Sequence, residues 1–419
     1  MKTHLLVYSD LNIGGIQTQL VKIAEGLFEL GDEVKVLLCT RSANPQLLSR
    51  LQKVADVSYW PELIYGQNQS SYSDRKYLLS LFQRWDNAKL SEYLSRVDTV
   101  HAFSVLAGIH MTLLYSRIKM NFKPAFTIGV YHANEVNVLS KDSVFQKGLL
   151  RLISKYNYDN FILTSIRAKE NLESTCHLNV CKSQLLALGV KIPPAMKSKS
   201  KCKTFQILSI GRLAAFKTYN INLLTVIRNL LNRGYKVAYT IIGNGQLMSD
   251  IKQKIEELDL QAHVNLMDEV DFSEIDSYID NCDCFVGSGT VLLQAAGRSC
   301  PSIIGIEGRT DHKTYGFLHN TSSVSIHEDN LPYELIDYER MIIKLIECSD
   351  YEYNIIREKE FNRANEFSHK EFMLKFQKLV STASEVKTFS TIERLSLFAT
   401  LAYSIFIKLI LGGSIRKHY

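Results

Sequence analysis

Two basic residues that lie close together in the sequence have the charge needed to bind a phosphate group. Arg212 and Lys217 stand in GRLAAFK, directly after the apolar run Phe205–Ile210. The run is typical of a buried strand, and ligands of parallel sheets bind where the strands end. Guanidinium and ammonium groups at such a place form charge-assisted hydrogen bonds to phosphate oxygens. The pair therefore predicts a phosphate-bearing ligand, although either residue alone could be solvated surface.

Glycine-rich turns follow several other apolar runs. They contain Gly14 and Gly15 in the first half of the chain, and Gly243, Gly245 and the segment Gly287–Thr290 in the second half. Glycine lets the backbone approach a ligand closely, and the free N–H groups at the start of a following helix favour an anion. One such turn is usually only a turn, but several at one edge of a sheet favour a phosphate site.

Strand-like apolar runs alternate with helical patterns along most of the chain. In the first half the predicted strands are Leu5–Ser9, Val34–Cys39, Thr99–Phe103, Phe126–Tyr131 and Phe161–Thr164. In the second half they are Phe205–Ile210, Val237–Ile242, Val264–Met267, Cys284–Gly287 and Ser302–Ile306. Repeating βα units with short connections predict parallel sheets covered on both faces, and hence an α/β fold with two doubly wound domains.

A stretch without apolar periodicity, KIPPAMKSKSKCK, separates the two sets of units. We predict an N-terminal domain at 1–190, a linker at 191–203 and a C-terminal domain at 204–370. A closing helix at 371–388, which crosses back to the first domain, and an amphipathic tail at 389–419 follow.

The composition excludes several classes of protein. Of 419 residues, 46% are hydrophobic and 22% are charged, which excludes wholesale disorder. A formal net charge of +6 suits an anionic small molecule or membrane surface and is too low to indicate nucleic acid. The eight cysteines have no CxxC spacing, so we expect buried reduced thiols and no metal ligands at Cys282 and Cys284. The first residues, MKTHLLVYSD, lack the apolar core of a signal peptide and predict a first strand.

Three segments of the second half, taken in order, resemble a known enzyme family. They are ILSIGRL with the lysine that follows it, YTIIGNG, and DCFVGSG followed by LLQAAGRSCPSI. This order resembles the C-terminal half of retaining glycosyltransferases of the GT-B fold, family 4 type, and GGIQTQLVKIAEGLFELGDEVKVL looks like that family's opening unit. The resemblance covers roughly residues 4–380. It implies two Rossmann-like domains facing across a cleft, and transfer of a sugar from a nucleotide diphosphate sugar to an acceptor with retention of configuration.

The resemblance places the donor's diphosphate in the second half of the chain. Ser288, Gly289 and Thr290 would receive it on backbone N–H groups at the start of a helix. Arg212 and Lys217 would neutralise it and stabilise the departing nucleoside diphosphate as catalytic residues. The resemblance therefore implies no metal ion and no cofactor.

Other glycines acquire roles from the same resemblance. Gly243 and Gly245 would let the base approach the backbone, with Val270 nearby. Gly14 and Gly15 would close over the phosphates from the first domain.

A histidine of the first half matches a family position near the transferring sugar. His132 in VYHAN would form a hydrogen bond to a sugar hydroxyl or to the acceptor. His101 is a second candidate, but a histidine whose hydrogen bonds are satisfied within the sheet is an equal alternative.

One position departs from the family pattern. The family has two glutamates here, one before the loop and one on the helix, whereas this chain has Gln294 on the helix and no acid before a shorter loop. The carbonyl group of Gln294 could still accept from ribose hydroxyls, at a loss of about 1–2 kcal/mol per bond relative to a carboxylate. Gln294→Glu is therefore expected to be tolerated.

The C-terminal segment 395–411 is mostly apolar, and Arg416 and Lys417 follow it. It is short for a span and contains Lys408, so we predict a helix in the plane of an anionic membrane surface, with Leu397 among the lipid tails. The alternative is a core helix packed on the second domain.

The predicted function is sugar transfer from a nucleotide-sugar donor to a saccharide or lipid-linked saccharide acceptor. It would take place in bacterial surface polysaccharide synthesis, in the cytoplasm on the inner face of the membrane. Two alternatives stay open: a catalytically degenerate GT-B protein that binds nucleotide sugar as a partner subunit, and a sugar-nucleotide epimerase.

Overall fold

The computed structural model describes residues 1–12, 14–64, 85–119, 122–131, 135, 144–271, 273–324 and 326–410. The chain forms two compact units, one of residues 1–187 with 373 onward and one of residues 188–372. Each unit has its own hydrophobic core.

The first unit is built on a parallel sheet. Its strands are β1 (Thr3–Tyr8), β2 (Glu33–Leu38), β3 (Asp56–Tyr59), β4 (Thr99–Ala102), β5 (Ala125–Val130), β6 (Phe161–Leu163) and β7 (Gln184–Leu185). They lie in the order β3-β2-β1-β4-β5-β6-β7. The apolar pattern does not predict β3 and β7, because these two strands at the edges of the sheet contain no fully buried residue.

Helices cover this sheet. Those before the second unit are α1 (Gly15–Glu29), α2 (Pro45–Leu51), α3 (Asn87–Leu94), α4 (Val105–Tyr115), α5 (Val144–Ile153) and α6 (Ile166–Cys176). In α1 the residues Leu20, Ile23 and Leu27 recur at helical spacing and are buried. Gly31 then takes a positive φ of 86°, which favours glycine and ends the helix.

The second unit contains a parallel sheet in the order β10-β9-β8-β11-β12. Its strands are β8 (Phe205–Ile210), β9 (Val237–Ile242), β10 (Val264–Met267), β11 (Cys284–Gly287) and β12 (Ser302–Ile304). Four of these bounds agree with the predicted ones, and β12 ends two residues early. The chain leaves the strand at Gly305, whose N–H donates to the carbonyl oxygen of Gly287 at 2.7 Å.

Six α-helices, a short 3-10 helix (Leu318–Asn320) and a small antiparallel pair complete the described part of the second unit. They are α7 (Tyr219–Asn232), α8 (Met248–Glu257), α9 (Ile275–Asn281), α10 (Thr290–Gly297), α11 (Tyr338–Glu347) and α12 (Asp350–Asn365), with β13 (Lys313–Thr314) and β14 (Ile336–Asp337). Helix α13 (His369–Thr382) then leads into the first unit, where Met373 packs on Gly26 of α1.

The lysine-rich stretch at 191–203 is attached to the second unit. The ammonium group of Lys197 pairs with Asp280 at 2.6 Å, and that of Lys199 donates to the carbonyl oxygen of Asp280 at 3.0 Å. Lys201 donates to the carbonyl oxygen of Ile346 at 3.0 Å. Composition alone predicted a linker, but long lysine side chains can reach backbone carbonyl groups that a sequence pattern does not reveal.

The C-terminal helix α14 (Thr391–Ile410) packs against α5 of the first unit. Leu397 is only 6% exposed and belongs to the first unit's core, so the prediction that it enters a lipid layer is wrong. The packing alternative named the second domain as partner, and that too is wrong. On the other side of α14, Ile392, Leu395 and Tyr403 are exposed. Within the described residues, no helix has the length and apolar character needed to cross a bilayer.

This packing predicts different outcomes for two leucines of α14. Leu397→Ala should lower the free energy of unfolding by about 2–4 kcal/mol, because it removes buried methyl groups and leaves a cavity. Leu395→Ala is the control, since Leu395 is 62% exposed, and it should change stability by less than about 0.5 kcal/mol. Urea unfolding of both variants measures the difference, and equal stabilities would contradict the packing of α14 on α5.

Candidate functional site

The loop after β8 carries the two basic residues. Arg212 is exposed, and Lys217 is half-buried. The ammonium group of Lys217 lies over Gly211, where an added Cβ atom would come within 3.3 Å of Nζ. No described carboxylate pairs with Arg212 or Lys217. Both positive charges are therefore available to a ligand at the carboxyl edge of the sheet.

The loop after β9 lies directly on the loop after β8. Gly243 and Gly245 have φ angles of 144° and 152°. A Cβ atom added to Gly243 would lie 2.1 Å from the carbonyl oxygen of Gly211. A Cβ atom added to Gly245 would lie 2.5 Å from the carbonyl oxygen of Leu213. The neighbouring backbone therefore requires glycine at both positions whether or not a base binds there. Val270, beyond the end of β10, is half-buried.

The loop after β11 leads directly into α10. Ser288 is 3% exposed, Gly289 has a positive φ of 72°, and Thr290 begins the helix. No side chain caps α10, and its first turn contains no acid. The N–H groups of that turn, together with the positive end of the helix dipole, can therefore bind an anion.

An acid that the sequence analysis missed stands beside this loop. The Ser288 hydroxyl donates to Oε1 of Glu307 at 2.8 Å. Glu307 lies shortly after β12, just as Arg212 and Ser288 lie shortly after their strands. Because ligands of a parallel sheet bind where its strands end, the apolar run of β12 and the acid that follows it could have identified Glu307 from the sequence.

Gln294 on α10 is engaged by an acid of the neighbouring helix. Its amide group donates to Asp276 of α9 at 2.8 Å. Arg298, one helical turn further on, pairs with Asp276 at 2.8 Å and also binds Asp280. The hydrogen bond to Asp280 raises the pKa of Arg298. Burial opposes the shift at Asp280, but hydrogen bonds from Arg298 and Lys197 hold the pKa of its carboxyl group below the usual value.

This contact bears on Gln294→Glu, whose expected tolerance stays a prediction. A glutamate would place a second carboxylate where the Gln294 amide now donates to Asp276. The side-chain oxygen Oε1 of Gln294 accepts no hydrogen bond from the described residues, and its predicted role towards ribose hydroxyls stays a prediction.

The glycines after β1 belong to the first unit. Gly14 has an extended backbone, and Gly15 begins α1, which no side chain caps. An added Cβ atom at Gly14 would come within 2.3 Å of Oε1 of Gln17, whereas Gly15 faces open space. The start of α1 thus has the same uncapped N–H groups as α10, and the predicted phosphate contact stays a prediction.

The two candidate histidines have different outcomes. His132 lies outside the described residues. His101 is buried, with Nδ1 2.9 Å from the Thr127 hydroxyl and Nε2 2.8 Å from the Tyr131 hydroxyl. Burial lowers the pKa of His101 to about 3, so its imidazole is neutral at pH 7. Of the two alternatives for His101, the structure supports the histidine satisfied within the sheet.

In the part of the chain that the structure describes, no group of three or more His, Cys, Asp or Glu side chains could hold a metal ion. Cys282 and Cys284 are buried free thiols.

Part of the chain matches a family model. Residues 194–305 match the model described as glycosyl transferases group 1. This range contains β8 to β12 and the residues at the ends of the first four of these strands. No curated protein is significantly similar to the chain.

Several solved structures share the fold. HepE from Anabaena, in complex with UDP and glucose, has a TM-score of 0.60 at 15% identity, with 91% of this chain and 100% of that chain covered. The lipopolysaccharide outer core galactosyltransferase WaaB, in its apo form, has a TM-score of 0.57 at 15% identity, covering 91% and 99%. TarM from S. aureus, in complex with fondaparinux, α-GlcNAc-glycerol and UDP, has a TM-score of 0.57 at 12% identity, covering 91% and 100%. The chain therefore has the GT-B fold, built from two Rossmann-like units.

The Gln294–Asp276 contact predicts the effect of the family-typical acid. Q294E should lower the free energy of unfolding at pH 7 by about 1 kcal/mol, because two partly exposed carboxylates would lie at hydrogen-bond distance. The loss should shrink as the pH is lowered to about 4, because repulsion between the two carboxylates favours uptake of a proton by the pair. Urea unfolding at both pH values measures this.

The double variant Q294E/D276N is the control, because an asparagine at 276 can donate to the new carboxylate. It should recover the stability lost by Q294E. A Q294E protein as stable as the wild type at pH 7 would mean that Gln294 and Asp276 do not interact.

Proposed function

We propose that the protein is a retaining glycosyltransferase of the family 4 type, which transfers a hexosyl group from a nucleotide diphosphate sugar. The observation that carries the proposal is that two cations without a carboxylate partner among the described residues, and an uncapped helix, follow neighbouring strands at one edge of one sheet. Arg212 and Lys217 follow β8, and the first turn of α10 follows β11, which pairs with β8. The match of residues 194–305 to group 1 glycosyl transferases supports the same reading.

The reaction needs charge where the leaving group forms. When the bond between the anomeric carbon and the phosphate oxygen breaks, its electron pair passes to the diphosphate. Arg212, Lys217 and the N–H groups of α10 would stabilise that growing negative charge without reorganising during the step. The acceptor hydroxyl forms the new bond on the same face of the sugar, and its proton passes to the departing diphosphate oxygen.

The acceptor we propose is a saccharide, free or lipid-linked, in bacterial surface polysaccharide synthesis. Two proteins of the same fold support this class of acceptor. WaaB is an outer core lipopolysaccharide galactosyltransferase, and TarM was solved with α-GlcNAc-glycerol and UDP.

A second candidate function is nucleotide-sugar binding without turnover. The observation in its favour is Gln294, which replaces the family's helix glutamate and donates to Asp276. Nucleotide binding without acceptor-dependent release of nucleoside diphosphate would support this candidate.

Loss of either cation should abolish most of the activity. Arg212→Ala and Lys217→Ala should each lower kcat by about a hundredfold or more, because one electrostatic contact to the transition state is worth roughly 3 kcal/mol. Release of nucleoside diphosphate from a panel of nucleotide sugars, with and without saccharide acceptors, measures the rate.

Lys236→Ala is the matched control, because Lys236 is an exposed lysine just before β9, at the opposite edge of the same sheet. It should leave kcat unchanged, and all three variants should keep the wild-type unfolding midpoint. Near wild-type turnover by either the Arg212 or the Lys217 variant would overturn the phosphate site.

We further propose that the protein attaches peripherally to an anionic membrane surface through α14. The exposed residues Ile392, Leu395 and Tyr403 recur at helical spacing and form an apolar stripe on its outer side. Arg416 and Lys417 follow the helix in the sequence and would add attraction to anionic headgroups.

Acidic substitutions on the stripe test this attachment without disturbing the core. The double variant I392D/L395D should float with phosphatidylglycerol vesicles at least tenfold less than the wild type, because the stripe would no longer enter the headgroup layer. Binding of the wild type should also weaken as salt screens the basic residues. Tyr351→Asp, at a residue 76% exposed on α12, is the control and should float normally. Equal flotation of all three proteins would dismiss the anchor.

A further inference from the structure

Glu307 is an acid at the edge of the sheet where a phosphate-binding site is proposed. It lies three residues beyond Ile304, the last residue of β12. Its backbone N–H donates to the carbonyl oxygen of His327 at 2.9 Å, and its side chain is 25% exposed. The backbone is thus held in place, and the carboxylate keeps access to solvent.

The loop that carries Glu307 is hydrogen-bonded to the loop after β8 and to the loop after β11. On one side, the N–H of Gly308 donates to the carbonyl oxygen of Phe216, the residue before Lys217, at 2.6 Å. On the other side, Oε1 of Glu307 accepts from Ser288 in the α10 loop at 2.8 Å. The acid therefore stands between the loop with the two cations and the loop that precedes α10.

The buried Tyr219 contacts both the loop before α10 and the loop after β12. The hydroxyl group of Tyr219 lies 3.3 Å from that of Ser288. An added Cβ atom at Gly305 would come within 2.7 Å of the Tyr219 ring. The absence of a side chain at Gly305 thus lets the β12 loop pass close to Tyr219 and bring Glu307 to Ser288.

The second carboxylate oxygen has spare capacity to accept hydrogen bonds. Nε2 of His327 lies 3.9 Å from Oε2, which is beyond hydrogen-bond distance. No described lysine or arginine neutralises Glu307. A carboxylate accepts only, so a ligand group beside it must be a donor.

The chemistry of a nucleotide sugar limits which group that donor can be. The phosphates carry no donor and repel a carboxylate. The donors next to the diphosphate are the hydroxyls of the transferred sugar on one side and of the ribose on the other, whereas the base lies beyond the ribose. A comparison of nucleoside diphosphates with their sugar conjugates separates the two sets of hydroxyls. We propose that Glu307 accepts hydrogen bonds from hydroxyl groups of the transferred sugar and so helps to determine which sugar is used. This inference rests on the proposed function.

The test compares nucleoside diphosphates with their sugar conjugates by calorimetry. The probes are UDP with UDP-glucose, UDP-galactose and UDP-N-acetylglucosamine, and GDP with GDP-mannose. In E307Q, affinity for the preferred nucleotide sugar should fall about tenfold or more, the loss expected for one charge-assisted hydrogen bond. Affinity for the nucleoside diphosphate alone should stay equal or rise, because the variant removes a charge that repels phosphate.

Discrimination between sugars gives a second readout. UDP-glucose and UDP-galactose differ in the orientation of one hydroxyl, and E307Q should change the wild-type ratio of their affinities. Glutamine at 307 can still accept from Ser288, so the loop should keep its fold. Glu256→Gln, at an exposed acid near the end of α8, is the matched control and should change none of these affinities.

The outcomes separate this inference from the proposed function. If the wild type binds none of the probes, the proposed function is overturned together with the inference. If the wild type binds and E307Q keeps every affinity ratio, the function stands and Glu307 is not a sugar contact. If E307Q weakens the nucleoside diphosphate as much as its sugar conjugate, Glu307 acts on the nucleotide and the inference is likewise overturned.

Discussion

The second unit depends on the close approach of two backbone loops at the carboxyl edge of its sheet. The loop after β8 donates backbone hydrogen bonds to the end of β9 and to the loop that follows it. The N–H of Gly211 donates to the carbonyl oxygen of Ile242 at 3.0 Å, and the N–H of Leu213 donates to that of Asn244 at 2.9 Å. Any side chain at Gly243 would collide with the Gly211 carbonyl group. The contact holds the β8 loop in place, and that loop carries both cations of the candidate site. Gly243 and Gly245 therefore help to position Arg212 and Lys217.

Opposite charges meet at this edge because each parallel strand ends beside its neighbours. Two cations follow β8, the uncapped start of α10 follows β11, and the carboxylate of Glu307 follows β12. Cations and helix N–H groups suit phosphate, and a carboxylate suits hydroxyl donors. A molecule with a diphosphate next to a polyhydroxylated ring would satisfy both. Ser288 connects the carboxylate to the start of α10, because its hydroxyl donates to Glu307 and its backbone leads into the helix.

The buried groups of the first unit contribute to stability. His101 is neutral and bonded on both ring nitrogens, to Thr127 and Tyr131, and it packs edge-on against Phe376 of α13. Leu397 joins α14 to the same core. The apolar C-terminal segment thus has two distinct sides, one packed on protein and one exposed. A hydrophobic pattern alone could not distinguish burial in protein from burial in lipid, since both favour the same side chains.

The sequence by itself determined the fold class, most of the strands and the segments that end at the candidate site. Those features follow from local patterns, because apolar runs such as Val237–Ile242 and the glycine turns after them are read from neighbouring residues. The edge strands β3 and β7 are not predicted, because neither contains a fully buried residue and neither therefore forms an apolar run. Only the tertiary structure decided the partners of individual side chains. It placed Asp276 against Gln294, Glu307 against Ser288 and α5 against Leu397. The partners in these pairs are distant in sequence, and no spacing rule relates them, because the packing of whole helices and loops brings them together.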